Sequence, residues 1–237
     1  MKQRLGGLLG GAAVLSLMAG LVLPSPAAAV MVQGYEIDDP TSPTVVVNKH
    51  RPLNPVTHVP ERLTRIKTEQ LHSDAAQAYQ RMVKAAKAER VNIVAVSGYR
   101  SYDHQASLYD SYVQQYGQET ADTIAARPGH SEHQTGLAMD VGNTSGVCAL
   151  QDCFEGTPVG AWVAEHAWEY GFIIRYPKDE QDVTGYKYEP WHLRYVGPQL
   201  AEDMRFAAEE SARTGTQPDI DTMEEFFELG PAADYLY

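Results

Sequence analysis

The stretch RPGHSEHQTGLAMD, residues 127–140, sets two histidines, a glutamate and an aspartate among small residues. The pattern from Gly136 to Val141 predicts a short buried strand that follows a glycine turn. His133 and Asp140 are seven positions apart, and such a turn would bring both side chains to one point. An isolated pair is also typical of a capping aspartate and a hydrogen-bonded histidine. The stretch predicts two metal ligands that need a third from elsewhere.

A second stretch, YEPWHLRYVG at residues 188–197, supplies His192 three residues after Glu189. Pro190 keeps the segment out of a helix interior, so it differs from the helical HExxH arrangement of many zinc proteases. A catalytic zinc takes three such ligands, and a carboxylate beside it can move a proton. We therefore predict His192 as the third ligand and Glu189 as a general base. The alternative for Glu189 is a surface ion pair with a basic neighbour.

The chain before these stretches shows one helical pattern, one strand pattern and then a second helix. Apolar residues recur at helical spacing from about Thr68 to Arg90, which predicts an amphipathic helix. VNIVAVSG at residues 91–98 predicts a strand. Asp103 is a candidate cap for the next helix, which Gly117 would end.

The chain after them has the same mixed character. Thr157 and the proline after it predict a helix start. FIIRY at 172–176 and HLRYV at 192–196 predict strands, and a long helix is expected after Pro198. Residues 222–225 have the form of a capping box. Helices and strands without regular alternation predict an α+β fold with a central, mainly antiparallel sheet flanked by helices.

The chain of 237 residues, 43% of them hydrophobic, is long enough for one globular domain with tails. Lys2 and Arg4 precede an apolar run that ends in three alanines, which predicts a signal peptide at residues 1–29. An uncleaved membrane anchor is the alternative. Residues 30–60 are rich in proline and predict an extended arm, and residues 61–237 form the remaining domain with a C-terminal helix.

Charge and cysteine content fit an exported protein. The formal net charge of −12 disfavours nucleic acid and anionic lipid as partners. Cys148 and Cys153 are the two cysteines of the chain, and an oxidising compartment would join them in a disulfide. Two buried thiols are the alternative.

Three segments resemble the VanY-type D-alanyl-D-alanine carboxypeptidases: SGYRSYDHQ at 97–105, ARPGHSEHQTGLAMDV at 126–141 and GYKYEPWHLRYVG at 185–197. The wider group includes D-Ala-D-Ala dipeptidases, lysostaphin-like endopeptidases and the hedgehog signalling domain. The similarity runs roughly from Val45 to Glu228. It implies the α+β fold of the hedgehog and D-Ala-D-Ala-peptidase type.

The resemblance also implies the roles of individual residues. One catalytic zinc ion would be held by His133, Asp140 and His192, with Glu189 as general base. Arg100, from the YRS motif, would bind the scissile carbonyl and stabilise the oxyanion.

Four further residues are candidate substrate contacts. Ser131, by similarity, would help to hold the terminal carboxylate of the substrate, and the other three are expected near that pocket: Gln105, Arg127 and Tyr99. His130 and Glu132 flank a ligand and would point away from it in an extended segment.

These inferences together predict an exported, monomeric zinc carboxypeptidase in the extracellular space, cell wall or periplasm. It would remove the C-terminal D-alanine from peptidoglycan stem peptides, with no nucleic acid partner and no membrane span after signal cleavage. The sequence leaves open whether the bond is D,D or L,D. An endopeptidase of peptidoglycan cross-links and a non-catalytic, zinc-stabilised wall-binding module are the alternatives, and Glu189 and Arg100 argue against the second.

Overall fold

The computed structural model describes residues 34–215 and 220–236. The predicted signal at residues 1–29 and the start of the arm lie outside these ranges. Helices and strands follow one another in the order β1 (Leu63–Ile66), β2 (Glu69–His72), α1 (Ser73–Ala88), β3 (Ile93–Ser97), α2 (Tyr102–Tyr116), α3 (Gln118–Ile124), β4 (Ala138–Asn143), α4 (Pro158–His166), β5 (Phe172–Ile174), α5 (Gln181–Thr184), β6 (His192–Tyr195), α6 (Pro198–Thr214) and α7 (Met223–Phe226).

A four-stranded sheet with the order β3-β4-β6-β5 forms the centre of the fold, and all its neighbours are antiparallel. The pairing places Ser97 opposite Asp140 on one side of β4, and His192 opposite Asp140 on the other side. A β-bulge between Ala95 and Ser97 shifts the register of β3 just before its end. The predicted α+β fold with a mainly antiparallel sheet is confirmed.

The hydrophobic core lies between this sheet, helix α1 and the segments around α4. Its fully buried large side chains include Leu71, Met82, Met139, Phe154, Phe172 and Leu193. Burying one such side chain contributes about 1.5–3 kcal/mol, so the core holds β4 and β6 in place.

The predicted start of the first helix is wrong. Glu69–His72 forms β2, which pairs with β1, and α1 begins only at Ser73. Leu71 is fully buried as an inward-facing strand residue. Its spacing to the apolar residues of α1 also matches a helix, so periodicity alone merges the two elements.

The other predicted helix ends are mostly in place. Thr157 caps α4, and Thr222 forms a complete capping box with Glu225. The cap of α2 is Ser101, whose Oγ accepts from the backbone N–H of His104 at 3.3 Å, in place of the predicted Asp103.

The arm has no regular helix or strand in its described part, residues 34–60, and packs on the domain. Val45 to Val47 are buried. The Nη2 of Arg194 donates to the carbonyls of Pro43 and Val45 at 3.0 and 2.7 Å. The described arm and domain belong to one compact unit that begins at Gly34, so the division at residue 60 stays a prediction.

Within the described ranges, no helix combines the length and the apolar character needed to cross a membrane.

Cys148 and Cys153 are joined in a disulfide, with their Cα atoms 5.5 Å apart. Because it closes a short loop, the disulfide is expected to stabilise the fold by about 2 kcal/mol through the entropy of the unfolded chain. Replacing both cysteines by serine should lower the free energy of unfolding in urea by that amount. Wild-type protein under reducing conditions is the control and should match the variant. An unchanged midpoint of unfolding in urea would contradict this expected stabilisation by the disulfide.

Candidate active site

The sheet brings two of the predicted metal ligands together. Asp140 on β4 and His192 on β6 are direct cross-strand partners, and Asp140 Oδ1 lies 3.3 Å from His192 Nδ1. His133 lies in the 3₁₀ turn Glu132–Thr135 that precedes β4, and its Nε2 is 3.5 Å from Asp140 Oδ2. One ligand atom from each residue lies within 4.8 Å of the others, and all three side chains are buried. We call these residues the His-Asp-His cluster.

Gly136 makes the turn between the 3₁₀ turn and β4. Its φ of 69° lies in the left-handed region, and a Cβ at this position would sit 2.9 Å from the backbone N of His72. That N–H donates to the Gly136 carbonyl at 2.7 Å. Any larger residue would be strained in conformation and would clash with the backbone of residue 72.

The donor set of the His-Asp-His cluster fits a zinc ion. Two imidazoles and one carboxylate are typical zinc ligands, and three protein ligands leave one position open. Asp140 Oδ1 is buried and makes no well-directed hydrogen bond within the described residues. A buried carboxylate oxygen in this state is costly unless a cation satisfies it.

The protonation of His133 suits a ligand. Burial lowers the pKa of His133 to about 3, with a smaller lowering by Arg100 and an opposing contribution from Asp140. The ring is therefore neutral at physiological pH. Its Nδ1 lies 2.8 Å from the Gly98 carbonyl, an acceptor, so Nδ1 carries the hydrogen and the Nε2 lone pair faces the cluster.

His192 is surrounded by carboxylates. Burial alone would lower the pKa of His192, but the nearby carboxylates of Asp140, Glu132 and Glu189 outweigh it and raise this pKa well above its usual value. The surroundings of the ring thus favour positive charge. A cation bound by the cluster would supply this positive charge and allow His192 to be neutral.

Glu189 lies at the edge of the cluster and is not a surface residue. Its Oε2 is 3.5 Å from His192 Nδ1, and its side chain is 17% exposed. The N–H of His192 donates to the Glu189 carbonyl at 3.0 Å, which forms a tight turn before β6. Burial raises the pKa of Glu189. A carboxylate with a raised pKa, close to a metal site, is suited to accept and return a proton.

Arg100 follows β3 and is held from two sides. Its Nη1 donates to Gln105 Oε1 at 2.6 Å, and its Nη2 donates to Ser97 Oγ at 3.2 Å. Its backbone N–H donates to the His133 carbonyl at 3.1 Å. Burial lowers the pKa of Arg100, and the charge of Asp140 opposes this lowering. The hydrogen bonds to Gln105 and Ser97 therefore fix the orientation of the guanidinium.

A cavity of about 900 Å³ opens in front of these groups. The residues of the predicted machinery that line it are Arg100, Ser131, His133, Asp140, Glu189 and His192. Leu108 and Tyr112 of α2 form one part of its wall, and the disulfide loop contributes Leu150 to Cys153 on another. The volume suits a peptide end and not only a water molecule.

Gln105 is not among the residues that line this cavity, and its role as a substrate contact stays a prediction. It is fully buried, and its Oε1 accepts from Arg100. Its Nε2 donates to the Ala126 carbonyl at 2.6 Å. The amide is thus occupied on both sides and supports the guanidinium.

Arg127 and Tyr99 are also not among the residues that line the cavity, and their role as substrate contacts stays a prediction. Arg127 pairs with Asp122 at 2.9 Å and lies over the ring of Tyr235, 4.0 Å from its centroid. Tyr99 directly precedes Arg100 and is partly buried. Of the four predicted substrate contacts, Ser131 alone lines the cavity.

Glu132 was expected to point away from the site, and this is wrong. It is fully buried, and its Oε2 lies 3.4 Å from His192 Nε2. Its Oε1 accepts from Arg175 at 2.8 Å and from Arg194 at 2.7 Å. The expectation assumed an extended segment, whereas residues 132–135 form a 3₁₀ turn.

A sequence signal for this arrangement existed. The predicted strands FIIRY and HLRYV each carry an arginine inside an apolar run. A buried arginine needs a buried carboxylate, so these two residues indicate a partner such as Glu132. His130, in contrast, bonds the Asn48 carbonyl at 2.8 Å and contacts Tyr235, away from the cluster.

Comparisons with known proteins agree with this geometry. The family model of VanY, D-alanyl-D-alanine carboxypeptidase, matches residues 68–198. The "Putative carboxypeptidase YodJ" of Bacillus subtilis (strain 168) is 41% identical over 208 residues, which are 83% of this chain and 71% of that protein.

Two solved structures are similar in fold. The LdcB LD-carboxypeptidase superposes with a TM-score of 0.69 at 40% identity, over 84% of this chain and 92% of its own. The second is a mutant of the vancomycin resistance D,D-pentapeptidase VanY from the VanB-type cassette, in complex with Zn(II). It superposes with a TM-score of 0.60 at 30% identity, over 77% of this chain and 97% of its own. The match of the family model, the relative and the fold together show that this chain is a carboxypeptidase and belongs to the VanY D-alanyl-D-alanine carboxypeptidase family.

Proposed function

We propose that this carboxypeptidase removes the C-terminal D-alanine from peptidoglycan stem peptides with the help of one zinc ion. The observation that carries the proposal is the buried His-Asp-His cluster, which shares a cavity with Glu189 and Arg100. A D,D-pentapeptidase and an LD-carboxypeptidase are both similar to this chain, so a D,D and an L,D bond are both candidate targets.

The proposed metal ligands are His133 through Nε2, His192 through Nδ1, and the carboxylate of Asp140. A zinc ion held by them would supply Lewis acidity toward water and toward the carbonyl of the scissile peptide bond.

Glu189 is proposed to move the proton. It takes a proton from the attacking water as the water oxygen bonds to the carbonyl carbon. It then returns that proton to the nitrogen of the departing D-alanine as the C–N bond breaks. The raised pKa of Glu189 brings its proton affinity closer to that of the groups it serves, which favours both transfers.

Arg100 is proposed to bind the carbonyl oxygen as negative charge develops there. Because Gln105 and Ser97 already hold the guanidinium, little reorganisation is needed when the substrate binds. Ser131, which lines the same cavity, is proposed to hold the terminal carboxylate of the substrate.

Substituting Arg100 by methionine is expected to lower kcat/KM by about 100- to 1000-fold, because a donor to the developing charge is lost. Zinc content, measured on the purified variant, should stay at the wild-type level. The matched control is Arg205→Met, an arginine exposed on α6 and paired with Glu209, which should leave kcat/KM unchanged. A near-normal rate for the Arg100 variant would remove this residue from the mechanism.

We also propose that residues 1–29 direct export and that the enzyme acts as a monomer outside the cytoplasm. The disulfide between Cys148 and Cys153 supports an oxidising compartment. The acidic composition supports a soluble protein that does not bind nucleic acid.

The function is tested with three substrates and zinc-loaded protein: a stem pentapeptide, a stem tetrapeptide and a cross-linked peptide dimer. Mass spectrometry should show loss of a single alanine from the pentapeptide or the tetrapeptide, which also identifies the bond as D,D or L,D. Cleavage of the dimer at the cross-link alone would assign an endopeptidase. Turnover of none of the three would overturn the proposal.

A further inference from the structure

Carboxylates lie on both sides of the His192 ring. Its Nδ1 faces Asp140 and Glu189, while its Nε2 lies 3.4 Å from Glu132 Oε2. Glu132 is 1% exposed, so water has little access to this contact. The His192 ring therefore lies between the carboxylates of Asp140 and Glu189 on one side and the buried carboxylate of Glu132 on the other.

The orientation of Glu132 is set by two buried arginines. Arg175 Nε and Arg194 Nη1 both donate to Oε1, at 2.8 and 2.7 Å. Because both arginines donate to Oε1 of Glu132, Oε2 is left facing His192. Both guanidinium groups are fully buried. The sheet sets their positions, since Arg194 lies in β6 and Arg175 directly follows β5.

The arginines are in turn held by distant parts of the chain. Glu224 of α7 accepts from Arg175 Nη1 at 2.9 Å and from Nη2 at 2.6 Å. Asn48 of the arm donates to the same carboxylate at 2.9 Å. Each member of this buried network has a charged or polar partner, which is the condition for a buried charge to be tolerated.

The contact at Oε2 has a direct chemical consequence for His192. A carboxylate accepts hydrogen bonds, so it favours the tautomer with hydrogen on Nε2. The Nδ1 lone pair then faces Asp140 and the open side of the cluster. Histidine ligands of metals usually have such a partner on their second nitrogen, and its loss typically weakens metal binding by about 10- to 100-fold.

We propose that Glu132 is a positioning residue for the metal centre, which selects the tautomer of His192 and aims its Nδ1. Arg175 and Arg194 hold Glu132 in that orientation. The inference rests on the zinc site of the proposed function and deepens it. It assigns the buried ionic network a role in metal affinity beyond its role in stability.

Two near-isosteric variants separate these roles. Glu132→Gln removes the charge next to His192, whereas Glu224→Gln removes a charge from the same network without touching the ring. Both are expected to lower the melting temperature, because each leaves a buried arginine with one carboxylate fewer. In a competition titration with a chromophoric chelator, only Glu132→Gln should raise the Kd for zinc, by about 10- to 100-fold.

Cobalt(II) gives a second readout that does not depend on turnover. Its visible absorption spectrum reports ligand geometry, and only Glu132→Gln is expected to change it. If Glu132→Gln does not fold, Glu132→Gln with Arg194→Met removes the unpaired charge as well and is compared with Arg194→Met alone. The same 10- to 100-fold increase in Kd is expected.

Equal zinc Kd values and cobalt spectra for wild type and Glu132→Gln would overturn the inference and leave the proposed function standing. Wild-type protein that binds no zinc would overturn both. A Glu224→Gln variant that weakens zinc binding as much as Glu132→Gln would also contradict the inference, since the network would then act through stability alone.

Discussion

Replacing Glu189 by glutamine is expected to lower kcat by about 100- to 10,000-fold, the range that a positioned acid or base contributes. The amide cannot take the proton of the attacking water or return it to the leaving nitrogen. Its size is nearly that of the carboxylate, and the turn before β6 is formed by backbone groups, so the fold should be retained. Initial rates of alanine release give kcat, and metal analysis of the same sample gives the zinc content.

The expected signature is a loss of rate with zinc still bound. Glu165→Gln is the matched control, because Glu165 is a largely exposed glutamate on α4, and it should keep the wild-type rate. Loss of zinc together with the rate would show that Glu189 is a metal ligand. A rate within a few-fold of wild type would exclude it as the base.

Replacing Asp140 by asparagine is expected to abolish detectable turnover by weakening zinc binding. The substitution removes one of three ligands and the negative charge that offsets the cation. The loss should exceed the roughly 100-fold upper range of changes to residues behind the ligands. Since the side chains have nearly the same shape, β4 should keep its pairing with β6. Equilibrium dialysis against zinc measures the affinity, and circular dichroism checks the fold.

Asp152→Asn is the control for charge alone. Asp152 is an exposed carboxylate on the disulfide loop and lines the same cavity outside the His-Asp-His cluster. Its variant should bind zinc as wild type does. Stoichiometric zinc in the Asp140 variant, at wild-type affinity, would show that the metal lies elsewhere.

The sequence predicted much of this site because its chemistry depends on a few residue types at fixed places. His133, Asp140, His192, Glu189 and Arg100 were all named from motifs, and the structure brings them to one cavity. The pairing that joins them is non-local. Asp140 and His192 are 52 positions apart and become neighbours only through the register of β4 and β6, which no single motif encodes.

The sequence-based errors have a common physical origin. Leu71 fits a helical and a strand period equally well, and the hairpin that decides between them is a tertiary feature. Glu132 was expected to point away from the site because an extended segment was assumed there. Which way a side chain points depends on local geometry, such as the 3₁₀ turn at Glu132, and on partners far away in sequence.

Glu132 also illustrates how the site and the fold depend on the same contacts. The carboxylate that faces His192 bonds to Arg194, and Arg194 in turn holds carbonyls of the arm. The arm, the sheet and the C-terminal helix α7 therefore meet behind the His-Asp-His cluster. This arrangement explains why arginines stand in the two otherwise apolar runs FIIRY and HLRYV.

A zinc titration of metal-free enzyme tests directly whether turnover depends on one bound zinc ion. Protein stripped with a chelator and shown by metal analysis to contain no zinc is titrated with zinc while alanine release from stem peptides is followed. We expect no turnover without metal, then a linear rise that ends at one equivalent of zinc per chain. Full turnover by the verified metal-free protein, or a rise that continues to two equivalents, would contradict a single catalytic zinc ion.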